Sequence, residues 1–170
     1  MTKVAGLYCL KNIVEIIHRN LIGLNTVSFV LVMVVTSFLV LIPFLPVLKY
    51  LVEHVGPLGG PDSLQGSIFL QFIIGVTLAP LVETMLFQSL PIYILMTYTK
   101  LNNAAVMSIS ALFFALSHFY SLTYVFVTFF VGFVLAYAYI VYLKKRQSSY
   151  WVVVAIHALR NLVTLVVVNL

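Results

Sequence analysis

Charged side chains are scarce in this 170-residue chain: Asp and Glu together number four, Lys and Arg nine, and charged residues make up only 8% of the whole. Soluble domains carry roughly 25% charged residues, so a water-soluble globular protein is excluded. Cysteine is nearly absent as well. The single Cys9 rules out an internal disulfide framework and a zinc site built on paired cysteines, and it leaves the compartment unread. Repeats, low-complexity tracts and the H-E-x-x-H pattern of helix-borne zinc ligands are also missing.

Apolar residues fill the space that charge leaves. They make up 63% of the chain, and mean hydropathy is +1.15. At about 20 residues per membrane span, the length allows four to six helices in one integral membrane domain over 1–170, with no room for a separate soluble domain. In residues 1–25, Lys3, Lys11 and Arg19 alternate with Val4, Leu7, Leu10, Ile13, Ile16 and Ile17 near the helical period. That spacing predicts an amphipathic helix lying on the membrane surface. A cleaved signal peptide fits less well, because the following apolar run is longer than an h-region and lacks an A-x-A site.

Five spans are expected: 26–47, bent near Pro43 and Pro46; 65–98; 103–120; 122–143; and 150–168, with a Gly- and Pro-rich loop over 52–63. The second is apolar for more than 30 residues, too many for a hydrocarbon core of about 30 Å unless the helix tilts or breaks. Pro80 is the expected break, and Pro91 a second bend. Flanking charge sets the orientation. Lys3, Lys11, Arg19, Lys100, Lys144, Lys145 and Arg146 fall on one side, against Lys49 alone on the other. This predicts a cytoplasmic N-terminus in the cell (plasma) membrane. The net charge of +5 then reflects this bias and anionic headgroups, not nucleic acid.

The spans contain few polar residues. Ala79-Pro80-Leu81-Val82-Glu83 places one carboxylate in an apolar run, and a carboxylate at bilayer depth costs roughly 2.5 kcal/mol or more, which by default marks a functional site. Phe114 and His118, four apart, share one helix face; alone, such a histidine also fits a hydrogen-bonded interfacial residue. His157 and Asn161 stack on one face of the last span, which equally suits interhelical hydrogen bonding. Gly132, after Phe129, lets helices approach closely and is read as packing. Arg160 lies at depth too. It can either neutralise Glu83 as a structural ion pair or turn away along a neighbouring face.

In this order, A-P-x-x-E, F-x-x-x-H, F-x-x-G and H-x-x-x-N on successive hydrophobic segments, the residues resemble the CPBP family of intramembrane proteases. That family includes type II CAAX prenyl endopeptidases and bacteriocin-processing and self-immunity proteins. The resemblance covers about 65–170, a protease-like core. It implies that Glu83 activates a water with His118 as partner, and that His157 and Asn161 steady the oxyanion. The usual first motif is E-E-x-x-x-R, but here it reads Glu83-Thr84-Met85-Leu86-Phe87-Gln88. The second Glu and the Arg are lost as a unit. Thr84 and Gln88 are expected to support the helix by hydrogen bonding to each other, since swapping a buried ion pair for a neutral pair need not destabilise.

No Ser or Cys stands in these motifs as a nucleophile, which favours activated water over an acyl-enzyme. Two His and one Glu also form a catalytic zinc set, so a metal mechanism is the chemical rival, although no cofactor or metal is assigned. The expectation is an all-α polytopic transmembrane bundle acting as an intramembrane glutamic endopeptidase on a peptide or membrane-anchored protein. The alternative is a non-catalytic protein of the same fold serving bacteriocin self-immunity or envelope regulation. A proton-coupled carrier fits least, because five spans without an inverted repeat leave little to rock.

Overall fold

A computed structural model describes residues 12, 15–59 and 67–170. The expected surface helix falls partly outside these residues, Lys3 and Lys11 included; within them, 15–23 are helical. The chain is an all-α bundle, with no strand among the described residues. Its helices are α1 (Thr26–Leu39), α2 (Leu45–His54), α3 (Ile68–Tyr98), α4 (Asn103–Ser117), α5 (Leu122–Lys144) and α6 (Ser149–Val168). Among the described residues, four stretches are long and apolar enough to cross a membrane: α1 with α2, α3, α5 and α6. The third expected span, 103–120, is α4, which has only 15 residues, about 22 Å of helix, and falls short of the roughly 30 Å core.

Local sequence sets most helix starts. The side chains of Asn25, Asn102 and Ser121 accept hydrogen bonds from the N–H groups of Ser28, Ala105 and Tyr124, covering donors that the first turn leaves free. The bend at Pro43 is a 3₁₀ turn over Ile42–Phe44. Beyond it the helix continues to His54, so Val52, Glu53 and His54 are helical rather than part of the expected loop. The described part of that loop is pinned to the start of α5. Ser121 Oγ donates to the Leu58 carbonyl at 2.8 Å, and Thr123 Oγ1 to that of Gly56 at 2.8 Å.

α5 is apolar on every side and is accordingly the central helix. Its Val131, Leu135, Ala138 and Tyr142 pack with Phe29 and Met33 of α1, Phe114 of α4, and Val153 and Ile156 of α6. The outer faces keep large apolar side chains exposed, such as Val27, Leu31 and Val35 on α1 and Phe69 on α3, as lipid contact requires. Gly132 behaves as expected. A Cβ there would come within 2.9 Å of Phe114 Cδ1 and 3.2 Å of Ala111 Cα, so only glycine lets α4 lie this close. At the opposite end of α5, Lys145 Nζ donates to the Leu24 carbonyl at 3.1 Å, tying the N-terminal segment to the basic α5–α6 turn.

α3 departs from expectation. Neither proline breaks it; each follows a π-helical stretch, Gln71–Leu78 ahead of Pro80 and Thr84–Ser89 ahead of Pro91. A proline ring clashes with the carbonyl four residues back. Widening the preceding turn to i→i+5 bonding relieves that clash and keeps the rod continuous.

Candidate functional site

Pro80 decides how α6 meets α3. In the π-helical stretch the Ala79 N–H donates to the Ile74 carbonyl, so the next acceptor in register, Gly75, would need the N–H of residue 80. Proline has none. Asn161 Nδ2 fills the place, donating to the Gly75 carbonyl at 2.8 Å. Tyr150 Oη makes a second link from α6, donating to the Leu81 carbonyl at 2.9 Å. The two bonds hold α6 antiparallel along α3 and bring His157 against Glu83.

His118 arrives from α4. It leaves the helix at φ −103°, ψ 39°, just after the last helical residue. Glu83 stands fifteen residues before the end of α3, and His118 fifteen after the start of α4, about 22 Å from the tight turn that joins the two helices. The shortness of α4 therefore sets both groups at one depth. A full-length span would have carried His118 past the carboxylate. Phe114 is the wedge between the motifs. Its ring lies 4.5 Å from that of His118 and 5.5 Å from that of His157, and Gly132 makes room for it.

The three ionisable groups converge on one oxygen. His118 Nε2 lies 3.4 Å and His157 Nε2 3.6 Å from Glu83 Oε2. His118 Nδ1 lies 2.7 Å from the Phe114 carbonyl oxygen, which can only accept, so Nδ1 carries a proton. In a neutral ring the Nε2 facing the carboxylate is then a bare acceptor. One further proton between Glu83 and His118 therefore makes them a hydrogen-bonded pair, and its removal leaves an ionised carboxylate facing a lone pair. Such a pair can take up and return a single proton. His157 Nδ1 is buried without a hydrogen bond among the described residues. Its Nε2 faces the Glu83 carboxylate, an acceptor, at 3.6 Å, which places the His157 proton on Nε2, towards the site.

Glu83, His118, His157 and Asn161 line one cavity of about 320 Å³, together with Tyr120, Tyr124, Thr128 and Arg160. Arg160 makes no ion pair with Glu83; its guanidinium lies over the Phe38 ring, 5.2 Å from the centroid. Thr84 and Gln88 are fully buried beside Glu83 in sequence, but they do not bond to each other as expected. Thr84 Oγ1 and both amide atoms of Gln88 lack partners among the described residues. The cause is the π-helical stretch, where positions four apart no longer stack.

Sequence reasoning did not single out Gly75, Tyr120 or Tyr124. Gly75 was detectable as the residue five before a proline only once the turn is known to be π. Tyr120 and Tyr124 carry a weak signal, two aromatics four apart directly after His118. Among the described residues no group of three His, Cys, Asp or Glu is arranged to hold a metal ion. The nitrogen-to-oxygen distances at Glu83 are nevertheless near those between neighbouring ligands of one ion.

In comparisons with known proteins, the family model described as type II CAAX prenyl endopeptidase, Rce1-like, matches residues 65–163. Its span takes in Glu83, His118, His157 and Asn161. No curated protein and no solved structure gives a match.

Proposed function

Because the chain belongs to the Rce1-like type II CAAX prenyl endopeptidase family, and is an integral membrane protein of apolar helices, we propose that Glu83 is the general base of an intramembrane peptidase. The substrate is a peptide or membrane-anchored protein. The observation that carries this reading is the meeting of two imidazoles on one carboxylate oxygen inside a bilayer-depth cavity. A water between Glu83 and the scissile carbonyl gives its proton to the carboxylate as its oxygen bonds to the carbonyl carbon. That proton then passes to the departing amine as the C–N bond breaks. His118 Nε2 faces the carboxylate and shares the proton once Glu83 has taken it. His157 Nε2–H and the second N–H of Asn161 are the donors for the oxyanion, where scarce water strengthens them. The first N–H of Asn161 is engaged by Gly75, so its orientation is fixed before substrate arrives.

Purified protein with a cleavable membrane-anchored peptide tests this. Glu83→Gln keeps the shape and removes the base, and it should lower the rate at least about 100-fold, while strong chelators leave the wild type active. Abolition by chelation with recovery on adding zinc would establish the metal mechanism instead. A Glu83→Gln variant that kept the full cellular phenotype would favour the non-catalytic immunity or envelope role.

A further inference from the structure

A second cavity, also of about 320 Å³, lies at the basic end of the bundle and shares no wall residue with the one around Glu83. It opens between the starts of α1 and α6. Thr26 and Val30 line one side, Trp151, Val152 and Ala155 the other, and the fully buried Tyr142 of α5 forms the floor. Its rim includes Ser148 of the α5–α6 turn, shortly after three consecutive cations, Lys144, Lys145 and Arg146. No carboxylate among the described residues pairs with these three. Lys145 is engaged by the Leu24 carbonyl and lies over the Phe29 and Tyr142 rings, 5.7 and 4.9 Å from their centroids, which leaves Lys144 and Arg146 as the exposed cations. Arg146 occupies the place after a helix end that usually falls to glycine: its N–H and that of Gln147 return to the Leu143 and Tyr142 carbonyls, and its φ is +53°. A cation is kept where glycine would relax the backbone. α6 begins without a side-chain cap, so the partial positive charge of its first N–H groups lies uncovered at the same rim. Tyr142 gives an independent sign of a ligand. Its hydroxyl is buried and has no hydrogen-bond partner among the described residues, which is costly, and an acceptor oxygen held in the cavity would supply one.

From this juxtaposition we propose that the groove between α1 and α6 binds one anionic phospholipid. Its phosphate sits at Lys144, Arg146 and the start of α6, and an acyl chain runs between the two helices. The apolar side chains of Val30, Val152 and Ala155 suit an acyl chain and offer nothing to a free phosphate or a nucleotide. Trp151, 61% exposed, stands where tryptophan marks a membrane–water interface. Charge decides the headgroup. A zwitterionic headgroup brings its own cation against a basic turn that has no acid to receive it, whereas an anionic headgroup brings only the missing counter-charge. The inference goes beyond the peptidase reading and does not depend on it, since none of these residues touches the Glu83 cavity.

Trp151 is the sole tryptophan of the chain, so its fluorescence reports on the groove. The full chain is reconstituted in phosphatidylcholine vesicles in which a rising fraction of the lipid is brominated near the headgroup end of one acyl chain, either as phosphatidylglycerol or as phosphatidylcholine. A basic side chain near an anionic headgroup contributes about 5-fold in binding, so Lys144 and Arg146, partly screened by salt, should lower the fraction needed for half-maximal quenching on the order of 10-fold for phosphatidylglycerol. Lys144→Gln combined with Arg146→Gln should bring the ratio between the two lipids to about 2 or below. Ala155→Leu, which narrows the groove and leaves the charges, should lower it to a similar level. Equal quenching by the two lipids in the unaltered protein would overturn the proposal, whether or not any variant folds, because the groove would then hold lipid of any charge or another occupant. A ratio unchanged by Ala155→Leu would put the anionic lipid on the turn alone and overturn it too. So would full reversal of the phosphatidylglycerol quenching by an equal concentration of inorganic phosphate, which would assign the site to a free anion.

Discussion

Glu83 is held by imidazoles, not by a permanent cation, and the difference is measurable. Had Arg160 been its ion-pair partner, removing either group would strand the other, at a cost of roughly 3 to 5 kcal/mol. With the guanidinium over Phe38 and outside ion-pair range of the carboxylate, Arg160→Ala and Glu83→Gln should change thermal stability additively, to within about 0.5 kcal/mol. Strong coupling in the double variant would return Glu83 to a structural role. Thr84 and Gln88 give a second expectation. Both are fully buried with unpaired polar atoms among the described residues, so Thr84→Val and Gln88→Met remove groups whose burial is uncompensated. The melting temperature should stay level or rise and peptidase activity should remain within about 10-fold, whereas a large fall in either would mean that these two residues orient Glu83 directly.

The helices were legible in the sequence because hydrophobic runs, the Gly- and Pro-rich loop and basic turns pointed to the same boundaries. α5 and α6 begin and end within a residue of expectation. Glu83, His118, His157 and Asn161 were legible for a different reason: polar groups at membrane depth stand out against an apolar background. What the sequence did not disclose is how the prolines are absorbed. A proline signals a disturbed helix but not whether the rod breaks or widens, and here the widening frees the Gly75 carbonyl for Asn161. This makes a double-mutant cycle informative. Asn161→Ala alone leaves a carbonyl at bilayer depth unpaired and should destabilise by about 1 to 3 kcal/mol. In a Pro80→Ala background residue 80 regains its N–H, so the same change should cost clearly less. Equal costs in the two backgrounds would show that Asn161 does not serve as the partner for the missing proline donor.

At the level of the whole molecule, the short α4 and the pinned loop define two unlike faces. One carries the α3–α4 turn with Lys100 and the α5–α6 turn with Lys144, Lys145 and Arg146, and the Lys145 bond to Leu24 joins the N-terminal segment to it. The other carries Gly56 and Leu58, anchored to Ser121 and Thr123 at the start of α5. If basic flanks stay in the cytoplasm, the first face is inside, and the site, about 22 Å from it in a core of about 30 Å, lies nearer the outer surface. Thiol labelling tests this in intact cells, after Cys9 is replaced by Ser so that no native thiol reacts. Leu58→Cys should react with a membrane-impermeant maleimide added outside, and Gln147→Cys should react only after the membrane is permeabilised. The reverse pattern would put the basic face outside, and with it the short path to Glu83 would open to the cytoplasm. Labelling of both from outside would mean that the two loops do not lie on opposite sides, and the antiparallel placement of α4 against α5 as membrane-embedded neighbours would have to be abandoned.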